Sequence, residues 1–120
     1  IPGGVVAAGL SGEAVDYAAI KTGDARRESL AADAPVLLIW ADLYGAAAGD
    51  VLEFRIAGPG GEVLAETRTL DDLDLRSIEA AGAGRPADRW SPGSYSGSVR
   101  LIRAGREIGR AETRLSVAAD

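Results

Sequence analysis

The sequence predicts an all-β domain, an antiparallel β-sandwich of the immunoglobulin or fibronectin type with about seven strands. Three observations support it: short apolar runs with a period of two, turn residues about every 8 to 12 positions, and one long connection late in the chain. A chain of 120 residues has the size of one domain. We therefore expect a single sandwich over 1–120, with a less regular lead-in at 1–32 and the sandwich core at 33–118.

The clearest element is a β-hairpin between Trp90 and Val117. Its two runs flank a tight turn at Ala104-Gly105. Apolar side chains alternate with polar ones along the first run. One face carries Tyr95, Val99 and Leu101, and the other carries Ser94, Ser96, Ser98 and Arg100. Because a two-stranded hairpin is not stable alone, it needs a second sheet to cover its apolar face.

Four more predicted strands can supply that sheet, two of them in a hairpin. Residues 35–45 form the most apolar run and predict a strand buried on much of both faces, with Trp40 as a core anchor. A second hairpin is predicted at 50–69 around the G-P-G-G turn. D-D-L-D-L-R-S-I-E-A-A-G at 71–82 predicts a strand, and A-G-A-G-R-P-A-D-R-W-S-P-G at 81–93 predicts the long connection.

The first third of the chain is less regular. One edge strand is expected between 5 and 20, with a kink at Ser11-Gly12. The alanines at 13–20 leave a helix open there as an alternative. Residues 21–33 are polar without a strand period, so they predict a loop or a short helical turn.

Composition excludes several functions. The chain has no histidine and no cysteine, which removes the usual general base, the commonest zinc ligand, disulfides and thiolate metal sites. Its net charge is −5, and its arginines lack interleaved aromatics, so nucleic acid is not an expected partner. No apolar run reaches the ~20 residues of a membrane span. Since the sequence begins at Ile1 without a secretory leader, we expect a piece of a longer protein with its targeting signal upstream.

The acidic side chains suggest two chemical sites, and neither is favoured. Asp71, Asp72 and Asp74 could offer carboxylate oxygens to calcium. The cluster lacks the glycine and distal glutamate of a calcium loop, and a charged strand edge is the favoured interpretation. Carboxylate pairs could also hydrolyse glycosides, but so short a chain predicts no deep cleft. No catalytic residue, metal ligand or cofactor is predicted.

Trp90 allows two interpretations. It either stacks on a ligand or, as its spacing favours, closes the end of the sandwich while Tyr95 donates its hydroxyl to nearby backbone. If a ligand surface exists, we expect it at the end of the sandwich carrying Tyr44, Arg85 and Trp90. Arginines of the final hairpin are expected on its outer face, paired with carboxylates such as Glu107 and Glu112. They are Arg100, Arg103, Arg106, Arg110 and Arg114.

One pattern extends through these segments. It comprises D-A-P-V-L-L-I-W at 33–40, G-D-V-L-E-F-R-I-A-G-P-G-G-E-V-L-A-E at 49–66, L-D-D-L at 70–73, A-G-A-G-R-P at 81–86 and W-S-P-G-S-Y-S-G-S-V-R-L-I-R-A-G at 90–105. With these motifs the chain resembles the non-catalytic immunoglobulin-like β-sandwich domain that follows the catalytic domain in some secreted lysostaphin-type (LytM-like) zinc metallopeptidases of Gram-negative bacteria. The resemblance covers about 33–118.

The resemblance implies an accessory domain. Catalytic domains of that family bind zinc through His-x-x-x-Asp and His-x-His motifs, which a chain without histidine cannot contain. The implied partners are a zinc peptidase domain in the same parent protein and peptidoglycan or an envelope protein, in the periplasm or outside the cell. An adhesin- or pilus-like domain joined by strand addition is the alternative. A third hypothesis, an enzyme in its own right, requires a deep pocket with carboxylates of split pKa.

Overall fold

The computed structural model describes residues 3–12, 29–71 and 74–119. Within these ranges the chain forms eight β-strands. They are β1 (Gly4–Ser11), β2 (Ser29–Leu30), β3 (Val36–Ala46), β4 (Val51–Gly58), β5 (Gly61–Thr69), β6 (Asp74–Gly84), β7 (Gly93–Arg103) and β8 (Arg106–Val117). In the described part of the chain, no helix has the length and apolar character needed to cross a membrane.

The strands form two sheets that face each other. Sheet A has three antiparallel strands in the order β1-β3-β6, and sheet B has five in the order β2-β8-β7-β4-β5. The predicted all-β sandwich class is confirmed. The described strands exceed the predicted seven because Ser29–Leu30, expected in a loop or helical turn, pairs in parallel with β8. The strand or helix considered for 13–20 lies outside the described residues.

The core between the sheets follows the period-two pattern of the sequence. Both predicted hairpins are confirmed, β4 with β5 and β7 with β8. Within the lead-in, β1 pairs with β3 and buries Ala8 and Leu10. Inward side chains from both sheets form one cluster. It includes Ala8, Leu10, Leu37, Ile39, Ala41, Leu43, Leu52, Phe54, Ile56, Tyr95, Val99, Leu101, Leu115 and Val117.

Two expectations about sheet A are corrected. The predicted connection at 81–93 begins later, because β6 continues to Gly84, with Ala81–Gly84 paired to Val36–Ile39. Trp40, expected as a core anchor, alternates with the inward Ile39 and Ala41 and so lies on the outer face of the sheet. It is nevertheless buried. Its indole lies against Gly9, where a Cβ would come within 2.3 Å of the ring.

The two long sides of the sandwich, where β1 meets β8 and β5 meets β6, are built differently. At the β1–β8 seam the strands touch directly, and a Cβ on Gly109 would lie 2.8 Å from both Gly4 Cα and Val5 N. At the β5–β6 seam the Arg68 side chain bridges the gap from β5 to β6. Backbone contact closes the first seam, and a charged side chain closes the second.

Candidate functional site

A cleft of about 280 Å³ opens at one end of the β5–β6 seam. It lies between the β4–β5 turn and the connection from β6 to β7. Its walls are rich in glycine and proline, and Trp90 and Tyr95 contribute aromatic surface. The lining residues are Gly58, Pro59, Gly60, Gly61, Glu62, Val63, Ala83, Gly84, Pro86, Trp90, Ser91 and Tyr95. A mostly apolar concavity with a few polar groups has the character of a binding site.

Trp90 and Tyr95 form a fixed aromatic pair beside this cleft. Trp90 is 1% exposed, and its Nε1 donates a hydrogen bond of 2.8 Å to the Ala34 carbonyl. The Tyr95 hydroxyl donates to the Ser91 carbonyl at 2.8 Å, and burial raises its pKa, so it stays protonated. The two rings meet edge to face, with centroids 6.0 Å apart. This geometry agrees with Trp90 closing the end of the sandwich and with the predicted Tyr95 hydrogen bond.

The structure brings together two of the three predicted site residues. Arg85 is exposed and lies near Trp90, where its side chain donates to the Asp33 carbonyl at 2.6 Å and to the Ala87 carbonyl at 2.9 Å. Tyr44 follows Val36 by eight positions on β3, so the two lie about 26 Å apart at ~3.3 Å per residue. The expectation that Tyr44 shares an end with Arg85 and Trp90 is therefore wrong, because β3 runs the length of the sandwich.

The β5–β6 seam outside the cleft is held by Arg68. The guanidinium donates to the Glu79 carboxylate at 2.9 Å and to the Ala80 carbonyl at 3.0 Å, both on β6. It also pairs with Glu66 on its own strand. Its central carbon lies 5.3 Å from the centre of the Phe54 ring, within cation–π range. Arg68 therefore covers the core where the two sheets diverge.

An ion pair with a buried carboxylate, at the other end of β7, was not predicted. Asp50 is 2% exposed and accepts hydrogen bonds from Arg103 Nε at 2.9 Å and Nη2 at 2.8 Å. It also accepts one from the Ala47 amide at 2.9 Å. The bonds from Arg103 hold the pKa of Asp50 below its usual value, against the opposing effect of burial. Arg103 was expected on the outer face, and the available signal was an aspartate ending a small-residue turn, where its side chain can accept from backbone amides.

The other hairpin arginines follow the prediction more closely. Arg100 donates to Glu107 at 2.7 Å and to Glu53 at 3.1 Å, and this hydrogen bond from Arg100 lowers the pKa of Glu53. Arg110 lies within 4 Å of both Glu107 and Glu112. The predicted pairing with these carboxylates is therefore confirmed. Such exposed pairs each contribute ~0–1 kcal/mol.

The acidic residues do not assemble a metal centre in the part of the chain that the structure describes. Asp71 is exposed, while Asp72 and the side chain of Asp74 lie outside the described part. The zinc motifs of lysostaphin-type peptidases do not fit this chain, since it has no histidine.

Comparisons with known proteins show the fold. No family model and no curated protein matches the chain. The CARDB domain of a Pyrococcus furiosus protein, solved in complex with di-metal ions, superposes with a TM-score of 0.53 and 8% identity, covering 99% of this chain and 96% of that chain. A Bifidobacterium dentium β-glucuronidase matches with a TM-score of 0.53 and 19% identity. That match covers 97% of this chain and 18% of the glucuronidase.

A glycosyl hydrolase of family 2 from Bacteroides cellulosilyticus gives a TM-score of 0.50 at 19% identity, over 72% of this chain and 13% of that chain. The present chain thus spans less than a fifth of either glycosidase. These three matches show no link to lysostaphin-type enzymes, so that resemblance stays a prediction. What the comparisons establish is that this chain has the fold of a small immunoglobulin-like β-sandwich domain.

Proposed function

We propose that this chain is a non-catalytic accessory domain of a secreted or periplasmic cell-wall metallopeptidase, which it positions or regulates. The observation that carries the non-catalytic part is the state of Asp50 and Glu53. Arginine hydrogen bonds lower the pKa of both carboxyls, so both are ionised at neutral pH and stabilise the fold. A carboxyl acting as a general acid needs the opposite shift.

The matched structures support the accessory role. A domain of this fold and length accounts for 18% of the β-glucuronidase chain, so the fold is compatible with being one part of a much longer enzyme. The Pyrococcus furiosus structure is itself one domain of a protein, and the matched fold covers 96% of it, so a domain of this fold can be studied in isolation. The choice of a cell-wall peptidase as the parent depends on the sequence motifs alone.

The cleft is the surface we expect to contact the enzyme domain or its peptidoglycan substrate. Its aromatic floor is held by hydrogen bonds from Trp90 to Ala34 and from Tyr95 to Ser91. Glu62 and Pro86 are exposed at its rim, and Arg85 stands beside them. A rigid floor lowers the entropic cost of binding.

The first test is the coding sequence upstream of Ile1. An export signal followed by a domain with His-x-x-x-Asp and His-x-His motifs would support the proposal, and further sandwich repeats in its place would overturn it. In a parent protein with those motifs, cleavage of cell-wall peptides is then compared with and without residues 1–120. Unchanged cleavage and unchanged binding to peptidoglycan would refute a positioning or regulatory role.

The cleft itself is tested with one charge placed inside it and one outside it. Pro86→Asp puts a carboxylate on the cleft wall, and Pro92→Asp puts the same group on an exposed residue that does not line the cleft. We expect Pro86→Asp to reproduce the effect of removing the domain while Pro92→Asp behaves as wild type. Equal behaviour of the two variants would exclude the cleft as the contact surface.

An adhesin- or pilus-like domain remains the second candidate, and the free edge of β6 favours it. In the described structure β6 pairs with β3 on one side and with no strand on the other, which is the geometry that strand addition requires. This candidate predicts open-ended assembly. A protein that never grows beyond a dimer in sedimentation experiments would count against it.

A further inference from the structure

The pairing of β6 with β3 determines which backbone groups of β6 point outward at its free edge. Arg85 N–H donates to the Pro35 carbonyl at 3.0 Å, and residue 85 lies opposite residue 35 in the register of β3 and β6. In an antiparallel ladder, hydrogen-bonded pairs alternate with pairs whose backbone groups point away. Ala81 and Ala83 therefore bond to β3, whereas the N–H and C=O groups of Ala80, Gly82 and Gly84 point outward. The Arg68 hydrogen bond to the Ala80 carbonyl agrees with this alternation.

The outward edge is short and bounded on both sides. Arg68 and its carboxylate partner Glu79 occupy it on the side of Ala80 that leads back along β6, and Pro86, which has no N–H, ends it beyond Gly84. Between these limits lies A-A-G-A-G, with no charged or large side chain. Charges and proline are the usual protection of edge strands, so among the described residues this stretch is the unprotected part of β6.

We propose that two copies of this chain pair through their β6 edges, antiparallel about a twofold axis at Gly82, so that sheet A continues into the second copy. In this register Gly82 faces Gly82 of the second copy, and Ala80 faces its Gly84. Every outward N–H from 80 to 84 then meets an outward C=O, because the pattern maps onto itself under the twofold rotation. The Ala80 carbonyl can accept from Arg68 and from the second copy, since it has two lone pairs.

Small side chains also fit this pairing. Gly82 faces Gly82 at the axis, and the non-hydrogen-bonded pair, where side chains come closest, joins Ala81 to Ala83 of the second copy and needs room only for two methyl groups. In this register Ala80 of the second copy, whose carbonyl accepts from Arg68 of that copy, lies opposite Gly84. Because Gly84 lines the cleft, Arg68 of the second copy comes near the cleft. Glu62 is exposed at the rim of that cleft and has no ion-pair partner among the described residues. Arg68 arrives with its own carboxylate partners Glu66 and Glu79, so the backbone hydrogen bonds carry this pairing and no net ionic attraction is added.

The paired surface is small, so the association should be weak. Five residues of edge bury much less than the ~1,200 Å² of a stable complex, and we expect a dimer that forms only at high protein concentration. The inference goes beyond the accessory-domain proposal and does not depend on it. It also differs from open-ended strand addition, because a twofold pair uses up the free edge of both copies.

The test is sedimentation velocity of the 120-residue chain from about 10 µM to 1 mM. Wild type should shift from monomer to dimer and stop there. Gly84→Pro removes one outward N–H per copy without breaking a bond to β3, and a Cβ at Gly84 meets nothing within 4 Å. It should weaken dimerisation at least tenfold. Gly84→Ala adds a Cβ at the same place but keeps the N–H, so it should dimerise as wild type does.

Hydrogen exchange tests the same contact without substitution. At 1 mM the amides of Ala80, Gly82 and Gly84 should exchange more slowly than at 10 µM, while Ala81 and Ala83 are protected at both concentrations. A monomer at 1 mM, a dimer that Gly84→Pro leaves intact, or concentration-independent exchange at 80, 82 and 84 would each overturn the pairing. Growth into larger species would overturn it as well and favour the open-ended assembly.

Discussion

The two seams of the sandwich solve the same problem with different chemistry. At the β1–β8 seam, glycines let the two backbones touch. At the β5–β6 seam the strands stay further apart, and Arg68 spans the gap with ion pairs and a ring contact. Close-packed contact depends on shape, whereas an ionic bridge also depends on pH and salt. The closure of the β5–β6 seam therefore depends on pH and salt, and the same seam carries the cleft and the free edge.

Adding a side chain at the glycine contact of the β1–β8 seam should have the largest effect on stability. Gly109→Ala places a Cβ 2.8 Å from Gly4 Cα and Val5 N, which are backbone atoms that cannot move aside cheaply. We expect the free energy of unfolding, measured with urea, to fall by about 2–3 kcal/mol. In the control Gly60→Ala, the new Cβ meets nothing within 4 Å, and the change should stay below about 0.5 kcal/mol. Equal stability of the two variants would show that the β1–β8 contact is not closely packed.

The second-largest loss of stability should come from removing the charge of Asp50. Asp50 holds Arg103, and its own carbonyl accepts from the Leu70 amide at 2.8 Å, which ties the β3–β4 loop to the end of β5. Asp50→Asn keeps the shape but loses the charge, so the free energy of unfolding should fall by about 2 kcal/mol. Thermal unfolding at pH 7 measures it. Asp33→Asn, an exposed change, is the control and should leave Tm within error; an unchanged Tm for Asp50→Asn would rule out a stabilising role for the pair.

The pH dependence of the free energy of unfolding should also arise from arginine-bound carboxylates. Because the pKa values of Asp50 and Glu53 are lowered in the folded state, their stabilisation is complete above the unfolded values of about 4 and is lost as the pH falls through the folded values. Urea unfolding between pH 6 and pH 2.5 should therefore show a decline below about pH 4. Asp50→Asn should have a shallower decline. The same slope in both proteins would assign the acid sensitivity to other groups.

Removing the ionic bridge itself should cost less. Arg68→Met keeps an apolar stem over Phe54 but loses three polar contacts. Since the side chain is about one-third exposed, we expect a loss of about 1 kcal/mol, together with a smaller effect of salt on the free energy of unfolding. Arg114→Met, at an exposed arginine without a described ion pair, should change neither quantity. An unchanged salt dependence in Arg68→Met would contradict the ionic closure of this seam.

The turn of the final hairpin belongs to neither seam, and a substitution there should have the smallest effect on stability. Ala104 has a φ of 52° and Gly105 a φ of 78°, so an alanine occupies a left-handed position that costs side chains energy. Ala104→Gly should raise the free energy of unfolding by about 0.5 kcal/mol. A decrease would mean that the entropy lost by the new glycine exceeds the relieved strain.

Local patterns predicted more of the fold than of the site. Period-two alternation identified both hairpins, because inward and outward positions are set by neighbours along one strand. The strand at 81–84 was missed because A-G-A-G has turn-like composition, and pairing with β3 overrides that preference. Arg103 was assigned to the surface because its partner Asp50 lies 53 residues away. Tyr44 was grouped with Arg85 and Trp90 because sequence alone does not show which end of a strand meets which loop.

The two tryptophans differ as fluorophores because their indole N–H groups have different surroundings. Trp90 donates its indole N–H to the Ala34 carbonyl beside the cleft, whereas the buried Nε1 of Trp40 has no hydrogen-bond partner in the described structure. Indole emission shifts to longer wavelength when the ring gains polar surroundings, so each residue reports on its own part of the sandwich. With Trp40→Phe and Trp90→Phe, one denaturant titration read by emission can resolve whether the cleft end and sheet A lose their structure together or in succession.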